Sequence, residues 1–251
     1  MPRMWLLLLF LLYSLALSAA LARAGHRSRA AAPPPTPRRR PVRVLIVGAT
    51  GGTGRQLVTQ ALERGHAVTA LVRDPSRLPL SHPQLTVVQG DVLDYGCVEA
   101  AMRGQEAVLC ALGHKRFLGP TRILSQGTRH ILRAMEALGV SRLVCETALG
   151  IGDSAGRMGL YYTFFVIPVI LPFYFWDKTR QERAVAGSGV DWTIVRPGVL
   201  TNGSPRGRYR HGRDLGSLLG TVRISRADVA AFMLDQLESD TYFRRAPGVC
   251  W

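Results

Sequence analysis

Cysteine and lysine are both scarce in this chain of 251 residues. The four cysteines are too few for a disulfide scaffold, and they form no CxxC pair (Cys97, Cys110, Cys145 and Cys250). This spacing argues against a zinc site, and we predict no bound metal. Lysine occurs only at positions 115 and 178, although 32 basic residues face 17 acidic ones. A lysine-rich nucleic-acid surface is therefore not expected. A hydrophobic content of 47% excludes a disordered chain.

Acidic residues are missing from the first 43 positions, where eight arginines lie. Trp5 to Ala22 is an uncharged run of 18 residues, just long enough to span a bilayer. More arginines follow this run than precede it, which favours a membrane-anchored protein whose main domain faces the cytoplasm. Ala22-Arg23-Ala24 also permits signal-peptide cleavage, and an organelle transit peptide is a third interpretation. We predict a signal anchor or signal peptide over residues 1–24, with secretory or organelle targeting as the alternative.

Proline marks the next segment. Residues 25–41 form a basic linker in which five prolines disfavour a helix and favour an extended spacer. Its arginines either contact anionic lipid headgroups or are simply solvated. This basic stretch lacks interleaved aromatic residues, so we expect no nucleic-acid partner.

Residues 42–251 show short apolar runs separated by stretches of helical period. The predicted strands are 42–47, 66–72, 85–89, 106–112, 142–146 and 191–195, and the clearest helices are 54–64, 123–138 and 177–188. Such alternation predicts a single α/β domain with a doubly wound parallel sheet. A last helix is expected to begin near Ser225, since Ser225 and Asp228 resemble a capping box.

A glycine-rich turn follows the first strand, with the spacing GxxGxxG over Gly48, Gly51 and Gly54. The first glycine permits a tight turn, the second lets the backbone approach a pyrophosphate, and the third lets the helix pack closely. The position between a strand and a helix is the one that a dinucleotide site requires. The motif therefore predicts a dinucleotide cofactor.

The end of the second strand indicates which dinucleotide is bound. Arg73 stands where a basic side chain can pair with a 2′-phosphate, with Arg55 and Arg77 close in sequence, whereas an NAD site needs an acid there. Asp74 is one residue later and complicates this choice. We favour NADP(H) over NAD(H).

Several motifs together resemble the atypical short-chain dehydrogenase/reductase family, a group with an NAD(P)H-binding Rossmann fold, and in particular its members related to flavin reductase/biliverdin reductase B. They are GATGGTG (48–54), VRDPSR (72–77), GDV (90–92), CALG (110–113) and WTIVRPG (192–198). The resemblance implies three groups of cofactor contacts besides Arg73. Gly48, Thr50, Gly51, Gly52, Thr53 and Gly54 would hold the pyrophosphate; Asp91 and Val92 would flank the adenine; Ala111, Leu112, Gly113, Arg196, Pro197 and Gly198 would border the nicotinamide.

The expected catalytic residues are Lys178, Thr147 and Tyr174. Tyr174 and Lys178 have the Tyr-x-x-x-Lys spacing that places a phenol and an ammonium on one helical face, although Pro172 argues against a regular helix there. The family's serine position holds Ala148, so Thr147 would have to substitute or a side-chain donor is lacking.

An uncharged, aromatic-rich stretch covers residues 159–176. It either admits a small hydrophobic substrate, from a membrane surface reached through the N-terminal segment, or packs as core. Two functions remain open at this stage. One is an NADPH-dependent reductase of a flavin-like, quinone-like or other hydrophobic acceptor, and the alternative is a non-catalytic NADP-binding redox sensor or assembly protein. The sequence does not indicate an oligomeric state.

Overall fold

The computed structural model describes residues 40–114 and 119–251. Its strands are β1 (Arg43–Val47), β2 (Ala67–Val72), β3 (Leu85–Gln89), β4 (Ala107–Cys110), β5 (Arg142–Glu146), β6 (Asp191–Pro197), β7 (Val199–Thr201), β8 (Arg210–Gly212), β9 (Arg223–Ser225) and β10 (Gly248–Cys250). Its α-helices are α1 (Gly52–Glu63), α2 (Tyr95–Met102), α3 (Ile123–Leu138), α4 (Pro172–Ala186) and α5 (Arg226–Asp235). A π-helical segment, Tyr162–Ile170, precedes α4.

The main sheet has the strand order β3-β2-β1-β4-β5-β6-β10-β8. All its neighbouring strands are parallel except β10 and β8, and β7 pairs with β9 separately. Strand β1 lies between β2 and β4, with Val47 opposite both Leu71 and Cys110. The chain therefore winds in both directions from β1, and a crevice opens at the carboxyl ends of β1 and β4.

Alternate residues of β1 enter two different cores. Val44 and Ile46 pack in the core that contains the apolar sides of α1 and α5, while Leu45 and Val47 pack in the core of α2, α3 and α4. Helices thus cover both faces of the sheet, which explains why β1 is a continuous apolar run. The predicted α/β Rossmann-like fold is confirmed in this respect.

Helix α4 differs from its prediction. It begins at Pro172 rather than near position 177, and it runs regularly to Ala186. Proline is compatible with the first turn of a helix because no backbone N–H is needed there. Tyr174 and Lys178 consequently lie one turn apart on a regular helix, contrary to the expectation from sequence.

The predicted hydrophobic helix of residues 1–24 and all but the last two residues of the linker lie outside the described residues. Over 40–114 and 119–251, no helix is both long enough and apolar enough to cross a bilayer. The segment 159–176, which carries the longest apolar run in this part of the chain, is divided between the π-helical segment and α4.

Candidate functional site

The glycine-rich turn that joins β1 to α1 leaves no room for a side chain at Gly48 or at Gly54. Gly48 has φ of +87°, and a Cβ there would lie 2.7 Å from the carbonyl carbon of Ala111. A Cβ at Gly54 would lie 2.7 Å from the carbonyl carbon of Gly48 and 2.8 Å from Ala49 Cα. Gly51 N–H donates to the Gly48 carbonyl over 2.9 Å. Only glycine fits these close approaches, and the N-terminus of α1 is left facing the crevice, as a phosphate site requires.

At the end of β2, Arg73 is exposed and the neighbouring Asp74 caps the turn that follows. The Asp74 carboxylate accepts hydrogen bonds from the Ser76 backbone N–H (3.1 Å) and hydroxyl (2.6 Å), and so caps the short turn Pro75–Arg77. Arg73 is exposed at the strand end. Arg55, from α1, donates to the Arg77 carbonyl over 2.9 Å. The contact between Arg55 and Arg77 places these two predicted arginines together, one short turn from Arg73, and Asp74 caps that turn through Oδ1.

The predicted adenine-flanking residues stabilise the turn after β3. Asp91 accepts a hydrogen bond from the Leu93 N–H over 3.0 Å. Val92 is buried against Gly127 of α3, where a Cβ would lie 2.8 Å from Val92 Cγ1. Both residues are thus at the carboxyl end of the sheet, where they were predicted.

The end of β4 lies beside the glycine turn. Ala111 N–H donates to the Val47 carbonyl over 2.9 Å, and Ala111 and Leu112 are buried, whereas Gly113 is exposed. The Tyr174 hydroxyl lies 3.8 Å from where a Cβ of Gly113 would stand. The Tyr174 ring also meets the His114 ring edge-on, with centroids 4.9 Å apart. Tyr174 therefore reaches the predicted nicotinamide side of the crevice.

Lys178 is buried beneath this crevice. Its ammonium donates to the Leu112 carbonyl (3.2 Å) and to the Glu146 carbonyl (3.0 Å), and so ties the end of β4 to the end of β5. Burial alone lowers the pKa of Lys178, but electrostatic interactions with Tyr174 and Glu146 outweigh it and raise the pKa. The ammonium therefore stays charged at neutral pH and positions backbone around the site.

Glu146 links β5 to the glycine turn and was not predicted as a site residue. Its carboxylate accepts a hydrogen bond from the buried Thr53 hydroxyl over 3.0 Å. Burial raises the pKa of Glu146, against the opposing effects of Lys178 and Thr53. An acid at the end of an otherwise apolar buried strand was the signal available in the sequence.

The Thr147 hydroxyl is engaged within a buried charge network. It donates to Glu182 of α4 over 2.6 Å. Glu182 also accepts two hydrogen bonds from Arg196, of 3.0 and 2.7 Å, and Arg196 pairs in addition with Asp153. The network joins α4 to β6, and sequence analysis missed it because its members are far apart along the chain.

The remaining nicotinamide-side residues after β6 are packed rather than exposed. Pro197 and Gly198 are buried, and the Gly198 N–H donates to the Val249 carbonyl over 3.0 Å. A Cβ at Gly198 would lie 2.7 Å from the Val222 carbonyl oxygen. The predicted residues therefore lie together at the carboxyl ends of the strands. Arg196, Pro197 and Gly198 are buried there, and they support the site by packing rather than by lining it.

Two cavities differ in their relation to this edge. One of about 280 Å³ is lined by Pro120, Pro172, Phe173 and Trp176, beside Tyr174 on the first turns of α4. The other, of about 720 Å³, lies near Ser141 and Val190, at the amino ends of β5 and β6. Ligands of open parallel sheets bind at the carboxyl ends of strands, so the smaller cavity is the one related to the site.

Comparisons with known proteins identify the family. A family described as NAD(P)H-binding matches residues 48–240. A chloroplastic protein of Arabidopsis thaliana is 32% identical over 180 residues, which cover 66% of this chain and 61% of that protein. A 3 beta-hydroxysteroid dehydrogenase/Delta 5→4-isomerase of Mycobacterium tuberculosis is 35% identical (64% and 48% covered). A 3-diazoavenalumate denitrifying reductase of Streptomyces is 38% identical (63% and 56%). The chain spans about half to three fifths of the length of these curated relatives.

Solved structures share the fold. The chain superposes on ChuY, an anaerobillin reductase from Escherichia coli O157:H7, with a TM-score of 0.69 and 23% identity, over 83% of this chain and 96% of that one. A short-chain dehydrogenase/reductase from Veillonella parvula in complex with NADP gives a TM-score of 0.71 and 19% identity, over 84% and 94%.

The predicted membrane anchor with a cytoplasm-facing domain is wrong. The Arabidopsis relative is named chloroplastic, as is Protein TIC 62 of pea, which is 26% identical over 62% of this chain and 32% of that protein. Those two names indicate organelle targeting of the relatives rather than a membrane anchor. The prediction failed because an acid-free, arginine-rich N-terminus is a feature of transit peptides as well as of anchors.

The family match runs from the glycine-rich turn to just beyond the end of α5, and the solved structures, a short-chain dehydrogenase/reductase among them, share the fold. The chain belongs to the NAD(P)H-binding Rossmann family.

Proposed function

We propose that the chain is an NADPH-dependent reductase of a hydrophobic small molecule, of the flavin or quinone type. One observation carries the preference for NADPH. Arg73 is exposed at the strand end, and the side chain of Arg55 reaches the adjoining turn that carries Arg77. A cluster of arginines there suits a 2′-phosphate.

The acceptor side of the proposed site is apolar. The cavity of about 280 Å³ is walled by two prolines, a phenylalanine and a tryptophan. Large side chains beyond it are exposed, among them Phe164 at 73%, Val169 at 62% and Tyr161 at 59%. Apolar surface of this extent is uncommon in soluble proteins and supports a hydrophobic ligand. Relatives named as a reductase and a steroid dehydrogenase are consistent with such a substrate.

The cofactor would supply a hydride, and the chain would supply position and protons. Lys178 would fix the carbonyls of Leu112 and Glu146, and with them the edge that borders the nicotinamide. Tyr174 carries the hydroxyl nearest to Gly113 and is the proposed proton donor to an oxygen or nitrogen of the acceptor. Thr147 is a weaker choice than the sequence suggested, because its hydroxyl donates to Glu182.

A second function is a non-catalytic NADP-binding sensor or assembly protein. The observation in its favour is the engagement of Thr147 together with Ala148 in the place of a serine hydroxyl. Under this alternative the cofactor would bind and no acceptor would be reduced.

The experiment is a binding titration of the full chain with NADPH and NADH, followed by measurement of NADPH oxidation at the nicotinamide absorbance with flavins and quinones. We expect tighter binding of NADPH and turnover with an apolar acceptor. Arg73→Gln should remove most of the NADPH preference, whereas Arg103→Gln, an exposed change on the loop after α2, should not. Binding without turnover would favour the sensor, and failure to bind either nucleotide would refute both proposals.

A further inference from the structure

A cationic side chain lies across the glycine-rich turn. Gly52 is the first residue of α1, and a Cβ built on it would lie 2.6 Å from Nε of Arg226. The aliphatic part and the guanidinium of Arg226 therefore occupy the space that any other residue at position 52 would fill. A larger residue at position 52 would therefore displace the arginine from the turn.

Arg226 is directed to this place by the end of its own helix. It is the first residue of α5, whose N-cap Ser225 accepts a hydrogen bond from the Asp228 N–H over 3.0 Å. At the opposite end of the same helix pair, Arg64 pairs with Asp235 over 2.8 Å. Helices α1 and α5 therefore run in the same direction. Gln60, in the second half of α1, donates to the Ala227 carbonyl over 2.9 Å, so α5 begins beside that half and the Arg226 side chain extends back to Gly52. The positive end of the α1 dipole adds to the charge of Arg226 at the turn.

The guanidinium is oriented by an amide rather than by an acid. Its Nη1 donates to Asn202 Oδ1 over 2.6 Å, just beyond the end of β7. A neutral oxygen holds the group in place without forming an ion pair with it. Burial raises the pKa of the nearby Glu146, and Arg226 is among the charges that oppose this rise. The guanidinium thus lies beside the expected position of the cofactor phosphates.

We propose that Arg226 is a cofactor ligand that closes over the glycine turn and binds the pyrophosphate, with Asn202 as its positioning residue. The proposal rests on the proposed function, in that a nicotinamide dinucleotide must occupy the turn. A planar guanidinium can keep one N–H on Asn202 while another donates to a phosphate oxygen. Since the pyrophosphate is common to NADPH and NADH, Arg226 would add affinity for both without discriminating between them.

The test compares three arginine variants of the full chain by titration with NADPH, NADH and adenosine 2′-monophosphate. Arg226→Gln should lower the affinity for NADPH and for NADH by the same factor, about tenfold or more, as expected for the loss of a charged hydrogen bond. It should leave adenosine 2′-monophosphate, which has no pyrophosphate, unchanged. Arg73→Gln should weaken NADPH and adenosine 2′-monophosphate but not NADH. Arg223→Gln, an exposed change three residues away, should alter none of them.

The inference is overturned if Arg226→Gln binds both dinucleotides like the parent protein, or if it loses affinity for NADPH alone, which would assign Arg226 to the 2′-phosphate. A parent protein that binds neither dinucleotide would instead refute the proposed function. Thermal melting shows whether each variant is folded. If Arg226→Gln does not fold, Arg226→Lys decides: it keeps the charge without the fork, and we expect about threefold weaker binding of both dinucleotides. Unchanged binding by that variant would then overturn the inference.

Discussion

The close approach at Gly54 provides the sharpest test of the proposed cofactor site. In Gly54→Ala the new methyl group would lie 2.7 Å from the Gly48 carbonyl carbon and 2.8 Å from Ala49 Cα, and closer still to the Gly48 oxygen. All three are backbone atoms, so no side-chain rotation can relieve the overlap. The N-terminus of α1 must therefore move away from the turn by about an ångström to restore ordinary contact.

The expected magnitude combines two opposing effects. Overpacking of a rigid site costs about 3 kcal/mol, at the upper end of the usual range. Replacing glycine by alanine within a helix raises the free energy of unfolding by about 1 kcal/mol. The net loss of unfolding free energy is about 2 kcal/mol, which corresponds to a fall in melting temperature of about 4–8 °C. NADPH affinity should fall at least about tenfold, because the displaced N–H groups no longer meet the phosphates.

Two further glycine variants provide a graded series. At Gly51 a Cβ would lie 3.2 Å from the Gly48 oxygen, so Gly51→Ala should change stability little. It should still lower the affinity for NADPH, because the second glycine of the motif is the one at which the backbone approaches the pyrophosphate. At Gly189 a Cβ meets nothing within 4 Å, so Gly189→Ala should alter neither property. Melting curves and NADPH titrations measure the series. Parent-like stability and affinity in Gly54→Ala would show that the turn does not have this geometry.

Three more substitutions test buried polar side chains. Lys178→Met should lower the unfolding free energy by about 2–3 kcal/mol, because two strand-end carbonyls lose a charged donor, and denaturant titration measures it. Thr147→Val should lower the free energy of unfolding by about 1 kcal/mol through the lost hydrogen bond to Glu182, but it should reduce turnover less than tenfold. A hundredfold loss of turnover would instead indicate that Thr147 is a proton donor. Burial would raise the pKa of Asp228, but its hydrogen-bond donors outweigh this and hold the pKa below 3.8. Asp228→Asn should therefore lower the free energy of unfolding by about 2 kcal/mol at neutral pH. The difference in unfolding free energy between parent and variant should shrink as the pH falls below about 4, because the carboxylate is then protonated. A difference that does not depend on pH would contradict this.

Local patterns in the sequence determined much of the fold. The apolar run of β1, the glycine spacing after it and the helical period over Ile123–Leu138 each specify their own element. The order of strands and helices then restricted the sheet to a doubly wound parallel form, with a site at the carboxyl ends. The same patterns said little about the short strands β7 to β10, which have only three residues each and no clear period.

Tertiary structure decided which side chains remain available for chemistry. Thr147 meets Glu182, a residue 35 positions away, and this contact turns a predicted donor hydroxyl into a buried structural bond. Asp74 caps a local turn through one carboxylate oxygen, while Arg226 is brought to Gly52 by the packing of α5 beside α1. Sequence periodicity specifies the face of an element that is buried, but the partner of a polar group depends on how distant elements approach. The cofactor class could therefore be predicted from residues 48–54, whereas the roles of Thr147 and Arg226 depended on the packed structure.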